Sequence, residues 1–287
     1  MIRTARAAGL ALFLATTALS GVAVAQAPTK TAVPPIVYKQ RTLANGLQVY
    51  TSLDRTTPNV SVQVWYGVGS KDDPQGRSGF AHLFEHMMFK ATKDFPAESI
   101  DRFTEDVGGF NNASTYDDFT NYYEVVPANH LERLIWVEAE RMGALVVDDA
   151  NFKSERDVVK EELRQRVLAS PYGRLFALYL PEASYTTHPY KRPGIGSIEE
   201  LDAATIDDVR AFHQAYYRPD NAALIVVGNF DEATLNAWID KYFGGLQSPR
   251  SRSSASPRSS RRARPPACST ATAPTSRCRR SRSPGWA

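Results

Sequence analysis

The sequence predicts an α+β domain with a largely antiparallel sheet and helices packed on one face. Three observations predict it. Segments rich in β-branched and aromatic residues stand next to one another as hairpin-like pairs, longer segments read as helices, and no repeated strand-helix-strand rhythm runs between Val37 and Leu246. Roughly 200 residues are enough to bury a core of their own.

Taken in order, Leu47 to Leu53 and Val60 to Tyr66 read as strands, the second carrying three valines followed by Trp65 and Tyr66. Gly79 to Lys90 reads as an apolar helix preceded by glycine, and Ala97 to Val107 as a second helix. Asn112 to Tyr116 and Asn121 to Val126 return to strand composition. Ala128 to Leu145, Asp148 to Leu168 and Ile206 to Tyr217 read as helices, Ala222 to Val227 as a strand, and Glu232 to Tyr242 as the last helix. No P-loop or dinucleotide-binding glycine pattern appears.

The first of these helices carries His82-Leu83-Phe84-Glu85-His86. Imidazoles four residues apart on a helix stand on one face, close enough to grip one ion, and the carboxylate three residues after the first leans toward that face. The spacing is H-x-x-E-H, the inverted zinc-peptidase arrangement. A catalytic zinc uses three protein ligands and one water, so one ligand must come from elsewhere. A carboxylate that is not a ligand can take the water's proton and pass it to a leaving amine, and Glu85 fits that role. The bland alternative is an ordinary helix with two histidines, since the chain has five. The Glu between them in a glycine-preceded apolar helix favours the metal.

The third ligand is sought in Asn151 to Ser170. Glu155, Val158, Val159, Glu162 and Arg166 follow helical spacing, so two carboxylates share a face with two valines that should be buried. Asp157, Lys160, Glu161 and Arg164 occupy the other side and read as a solvated face. Helical Glu is usually exposed, and periodicity alone leaves open whether Glu155 and Glu162 are.

His82-x-x-Glu85-His86, followed 76 positions later by Glu162 within Glu155-Arg156-Asp157-Val158-Val159-Lys160-Glu161-Glu162, resembles the M16 zinc peptidases, the pitrilysin, insulin-degrading and mitochondrial-processing-peptidase group. Asn45-Gly46-Leu47, Gly67-Val68-Gly69-Ser70, Gly79-Phe80-Ala81-His82 running on to Phe89-Lys90-Ala91-Thr92, Asn112-Ala113-Ser114-Thr115 and Tyr217-Arg218-Pro219-Asp220-Asn221 stand in that family's order. The resemblance covers about Val37 to Leu246. It implies one zinc ion per domain held by His82, His86 and Glu162, with Glu85 as general base and Glu155 supporting the metal site from behind its ligands. It implies a zinc-dependent endopeptidase acting on peptides or unfolded polypeptides.

Asn112 to Thr115 matches the family's edge strand, to which an extended peptide adds itself as another strand, so Asn112, Ala113 and Thr115 are expected to bind substrate. A plain turn at Gly108-Gly109-Phe110-Asn111 entering a strand explains the same residues. Family members enclose substrate between halves of paired domains, so a second M16-like domain or chain, as homo- or hetero-oligomer, is an expected partner. The rival reading is a noncatalytic or truncated subunit that binds peptides or a partner chain; such relatives usually lose the zinc motif, which is intact here.

Arg3 and Arg6, the apolar run Ala7 to Ala18 and Ala23-Val24-Ala25 lay out a signal peptide over residues 1–25. The run is too short for a stable membrane anchor, since a spanning helix needs about 20 apolar residues. Export, to a bacterial periplasm by the resemblance, is expected, with residues 26–36 as a lead-in to a peptidase domain at 37–247. Residues 248–287 hold ten arginines, no lysine and no acid. That composition predicts disorder and is the text a shifted reading frame produces in GC-rich coding sequence. The chain's net charge of +3 minus those ten is −7, so the basic balance belongs to the tail. Charge alone could draw nucleic acid to such a tail, but no nucleic-acid partner is expected of an exported peptidase. Cys268 and Cys278 both lie there and carry no disulfide inference.

Overall fold

The computed structural model describes residues 35–247, and one compact unit begins at Tyr38. The expected signal at 1–25, most of the lead-in at 26–36 and the tail at 248–287 lie outside the described residues.

Six strands form one sheet: β1 (Lys39–Thr42), β2 (Gln48–Leu53), β3 (Asn59–Tyr66), β4 (Phe110–Thr115), β5 (Thr120–Pro127) and β6 (Ala222–Gly228), in the order β1-β2-β6-β3-β5-β4. Only β2 and β6 run parallel; the other four pairings are antiparallel. Five strands match the sequence reading. β1, with the sequence KQRT, has no apolar residue to announce it and joins the sheet edge through its main chain beside β2.

Strand period 2 sorts the sheet into two faces. Val60, Val62, Val64 and Tyr66 of β3 and Leu224 and Val226 of β6 are buried, while Ser61, Gln63 and Trp65 on the opposite face keep some exposure. The buried face meets α1 (Phe80–Met87), α3 (Leu131–Ala144), α7 (Ile206–Tyr216) and α8 (Glu232–Phe243) in one apolar cluster. Burying each large apolar side chain there contributes about 1.5–3 kcal/mol. This is an α+β fold with helices on one face of a largely antiparallel sheet.

α2 (Ser99–Glu105) and α4 (Asp149–Glu162) lie within the expected helices. The expected helix 148–168 changes character after Glu162, where Leu163–Leu168 winds as a π-helix. A second π-helical stretch, Leu175–Tyr179, then α5 (Leu180–Ser184) and α6 (Ile198–Asp202), fill a region in which the sequence predicts no element; turns of five residues are too short to show a period. One expectation fails on α4. Val158 is 46% exposed while Val159 is fully buried, because consecutive helical residues point about 100° apart and the inward face centres on Phe152, Glu155 and Val159. Among the described residues no helix is long and apolar enough to cross a membrane.

Candidate metal centre

Helix α1, which carries His82 and His86, begins at a built corner. Gly79, its N-cap, has φ of 87°, a left-handed conformation that favours glycine. A Cβ there would also sit 2.7 Å from Ile195 O. The buried Asp73 carboxylate accepts from the Gly79 and Ala81 N–H groups at 2.7 and 2.8 Å, satisfying donors that a helix start leaves free. Burial pushes that carboxyl up to about 7 against the pull of these two donors. α4 starts with the Asp148 side chain accepting from Asn151 N–H at 2.8 Å, and packs against α1.

These two helices bring His82, His86 and Glu162 together, with one donor atom of each within 4.8 Å of the others. Glu162 Oε2 lies 3.4 Å from His82 Nε2 and 3.4 Å from His86 Nε2. The rings stand edge to face, centroids 4.9 Å apart. Glu162 Oε2 is buried and has no hydrogen-bond partner, a costly state for a carboxylate oxygen unless a cation sits beside it. Its other oxygen, Oε1, is held by the Arg166 guanidinium. Two imidazoles and a carboxylate converging on one point are a donor set that suits zinc. Glu161, next in sequence to Glu162, points away and binds Arg164 and Gln165.

Glu155 lies behind the histidine. Its Oε2 is 3.5 Å from His86 Nδ1, and its Oε1 is 2.8 Å from Lys90 Nζ. Glu85 receives a 2.5 Å hydrogen bond on Oε2 from the Thr115 hydroxyl. Burial raises the Glu85 carboxyl above its ordinary range, with Thr115 pulling the other way. Thr115 is the last residue of β4, the edge strand of the sheet. Of the other two residues expected to bind substrate, Ala113 turns its methyl group inward at 8% exposure, and Asn112 is exposed with its Oδ1 accepting from Ala113 N–H at 2.8 Å. An open cavity of about 430 Å³ runs past His82, Glu162, Thr115, Tyr116, Arg166 and Ile195. A larger, apolar one of about 470 Å³ lies beyond Leu163 and Leu168 and holds none of the trio.

Sequence reasoning missed the contacts of Lys90, Asp73 and Thr115. Lys90 has a local signal, four residues after His86. The Asp73 and Thr115 contacts depend on a loop path and on strand pairing, which no periodicity encodes.

Burial, then the charge of His86, lowers His82 to about 4, so it offers a neutral nitrogen across the physiological range. For His86 burial acts downward, but the hydrogen bond to Glu155 and the charges of Glu162 and Glu85 outweigh it and raise the group above its ordinary 6.5. A metal takes only the deprotonated imidazole, so a proton competes at His86 as pH falls through that raised value. Zinc affinity is expected to fall roughly tenfold per pH unit once pH drops below that raised value, and so to begin falling above the ordinary imidazole range. Chelator competition across pH 5 to 8 checks this; a flat profile contradicts it.

The sequence profile described as insulinase (peptidase family M16) matches residues 48–197, and that described as the peptidase M16 inactive domain matches 203–284. β6, from the second matched segment, lies between β2 and β3 of the first, so within the described residues both share one sheet. The chain is 38% identical over 207 residues to zinc protease PqqE of Helicobacter pylori, covering 72% of this chain and 46% of that one. It is 37% identical over 221 residues to an uncharacterized zinc protease of Mycobacterium leprae, covering 76% and 48%. The crystal structure of a protease from Helicobacter pylori superposes with a TM-score of 0.71 at 35% identity, covering 74% of this chain and 51% of that one. The chain thus spans about half the length of these relatives.

Proposed function

The chain belongs to the insulinase family of M16 peptidases, and from that premise we propose that it carries the metal-dependent peptide-hydrolysing site of a zinc endopeptidase. The observation that carries the reading is the Glu162 Oε2 atom, buried without a hydrogen-bond partner and equidistant from two imidazole nitrogens. His82, His86 and Glu162 would hold one zinc ion, which when bound supplies Lewis-acid polarisation and a water acidified to a pKa of about 7.

The chain's own groups do the rest. Glu85 takes the water's proton and delivers it to the departing amine. Thr115 holds the Glu85 carboxylate in one orientation, and the same residue ends β4, so the base is tied to the strand along which a peptide would lie. The free edge of β4 offers main-chain groups to an extended peptide, which gives binding with little dependence on sequence. Glu155 fixes the tautomer of His86 by accepting at Nδ1, leaving Nε2 for the metal. Peptides or unfolded polypeptides are the proposed substrate class, and residues 1–25, read as an export signal, support a periplasmic setting.

The test is cleavage of an unstructured peptide by the full chain, followed by mass spectrometry, with zinc content measured in parallel. One zinc per chain, and cleavage lost with a chelator and regained with added zinc, are expected. A chain that takes up no zinc, or cleavage indifferent to the chelator, rejects the proposal. The rival subunit reading predicts zinc uptake and peptide binding without cleavage.

A further inference from the structure

We infer that Lys90 is a positioning residue of the metal centre: its ammonium group pins the Glu155 carboxylate, and the pinned carboxylate fixes the imidazole of His86. The inference rests on the metal reading above. Lys90 follows His86 by four residues, just past the end of α1. Its Nζ lies 2.8 Å from Glu155 Oε1 and 3.3 Å from Glu98 Oε1. The two contacts differ in their surroundings. The side chains of Lys90 and Glu155 are 14% and 7% exposed, while that of Glu98 is 73% exposed. Solvent screens the Glu98 pair, so the pair with Glu155 is the stronger one.

Glu155 divides its two oxygens. Oε1 takes the ammonium, with Ser154 Oγ at a marginal 3.4 Å, and Oε2 faces His86 Nδ1 at 3.5 Å. A carboxylate held at one oxygen cannot turn the other away, so the Nδ1 side of His86 meets a fixed acceptor. The imidazole then carries its hydrogen on Nδ1 and its lone pair on Nε2, the nitrogen 3.4 Å from Glu162 Oε2. Lys90 also supplies the positive charge that a carboxylate removed from water requires. The order of action is therefore Lys90, Glu155, His86, metal, three links in one line of contacts.

The experiment measures the zinc dissociation constant of the full chain by competition with a chromophoric chelator, with circular dichroism melting as the check on folding. Lys90→Met is expected to weaken zinc binding about 10- to 100-fold, the range for residues that orient metal ligands. Lys90→Arg, which keeps a charged donor, is expected to bind within about threefold of wild type. The double variant Lys90→Met, Glu155→Gln is expected to bind no more weakly than Glu155→Gln alone, because one residue acts through the other. A merely structural lysine would give losses that multiply. Zinc binding by Lys90→Met as tight as wild type or tighter overturns the inference, and so do multiplying losses. Should Lys90→Met fail to fold, Lys90→Gln is read by the same criteria. A wild-type chain without zinc affinity overturns the metal reading and this inference with it, whereas a tight wild type with an unaffected Lys90→Met overturns this inference alone.

Discussion

Glu85→Gln is expected to lower peptide hydrolysis about 10² to 10⁴-fold while zinc stays bound. That loss corresponds to roughly 2.7–5.5 kcal/mol of transition-state stabilisation. The amide keeps the size of the carboxylate, and its oxygen can still accept from the Thr115 hydroxyl now 2.5 Å from Glu85 Oε2. What it loses is the ability to take a proton. Glu85 is not among the three residues whose donor atoms converge, so metal content should be unchanged. The measurement is kcat/KM on an unstructured peptide together with zinc per chain. Cleavage within threefold of wild type, with zinc retained, would assign proton transfer to another group; loss of zinc along with activity would make Glu85 a ligand instead.

The parts of this site that a sequence reader can see are those that one helix encodes. His82, Glu85 and His86 fall within a single turn and a half, and helical geometry alone puts them on one face. Glu162 lies 76 positions after His86; its expected ligand role comes from family resemblance, because periodicity cannot say whether a helical Glu faces solvent. The structure separates Glu161 from Glu162 as the spacing requires, yet Val158 is exposed although the spacing groups it with Val159. A stripe wide enough to include both valines was too wide by one helical step. Sheet order was illegible for a different reason. β6 is inserted between β2 and β3 and makes the one parallel pairing, a non-local choice that strand composition does not record. The same holds for the Thr115 contact, which exists because β4 pairs with β5 in a register that carries its last residue to α1.

The least legible feature lies beneath the sheet, and its removal is expected to be the most costly for folding. Arg141 of α3 is fully buried and pairs through Nη2 with Glu124 of β5 at 2.7 Å and with Glu138 one helical turn earlier. Its guanidinium lies 4.7 Å from the ring centroid of Tyr122 and 5.6 Å from that of Phe89. Both carboxylates are 1% exposed. Burial, then the charge of Glu138, raises the Glu124 carboxyl well above its ordinary range, and Arg141 works against that rise. Arg141→Met fills similar volume but leaves two carboxyl groups out of water without a cation, which costs about 3–5 kcal/mol. For a domain of this size that is roughly a 6–20 °C fall in Tm. The pH dependence has a definite sign. A carboxyl whose folded-state pKa is raised loses stability as pH climbs from its unfolded value near 4.5 through the folded one, and without Arg141 the folded value rises further. The deficit of Arg141→Met should therefore be large at pH 8 and should shrink toward pH 4.5. Replacing all three groups, Glu124→Leu, Glu138→Leu and Arg141→Met, should recover most of the loss, since apolar packing of similar volume can match a buried charge cluster. Urea unfolding of the three proteins at both pH values measures this. A deficit under 1 kcal/mol, or one that does not change with pH, would mean that water reaches the cluster and that Arg141 does not offset a buried charge.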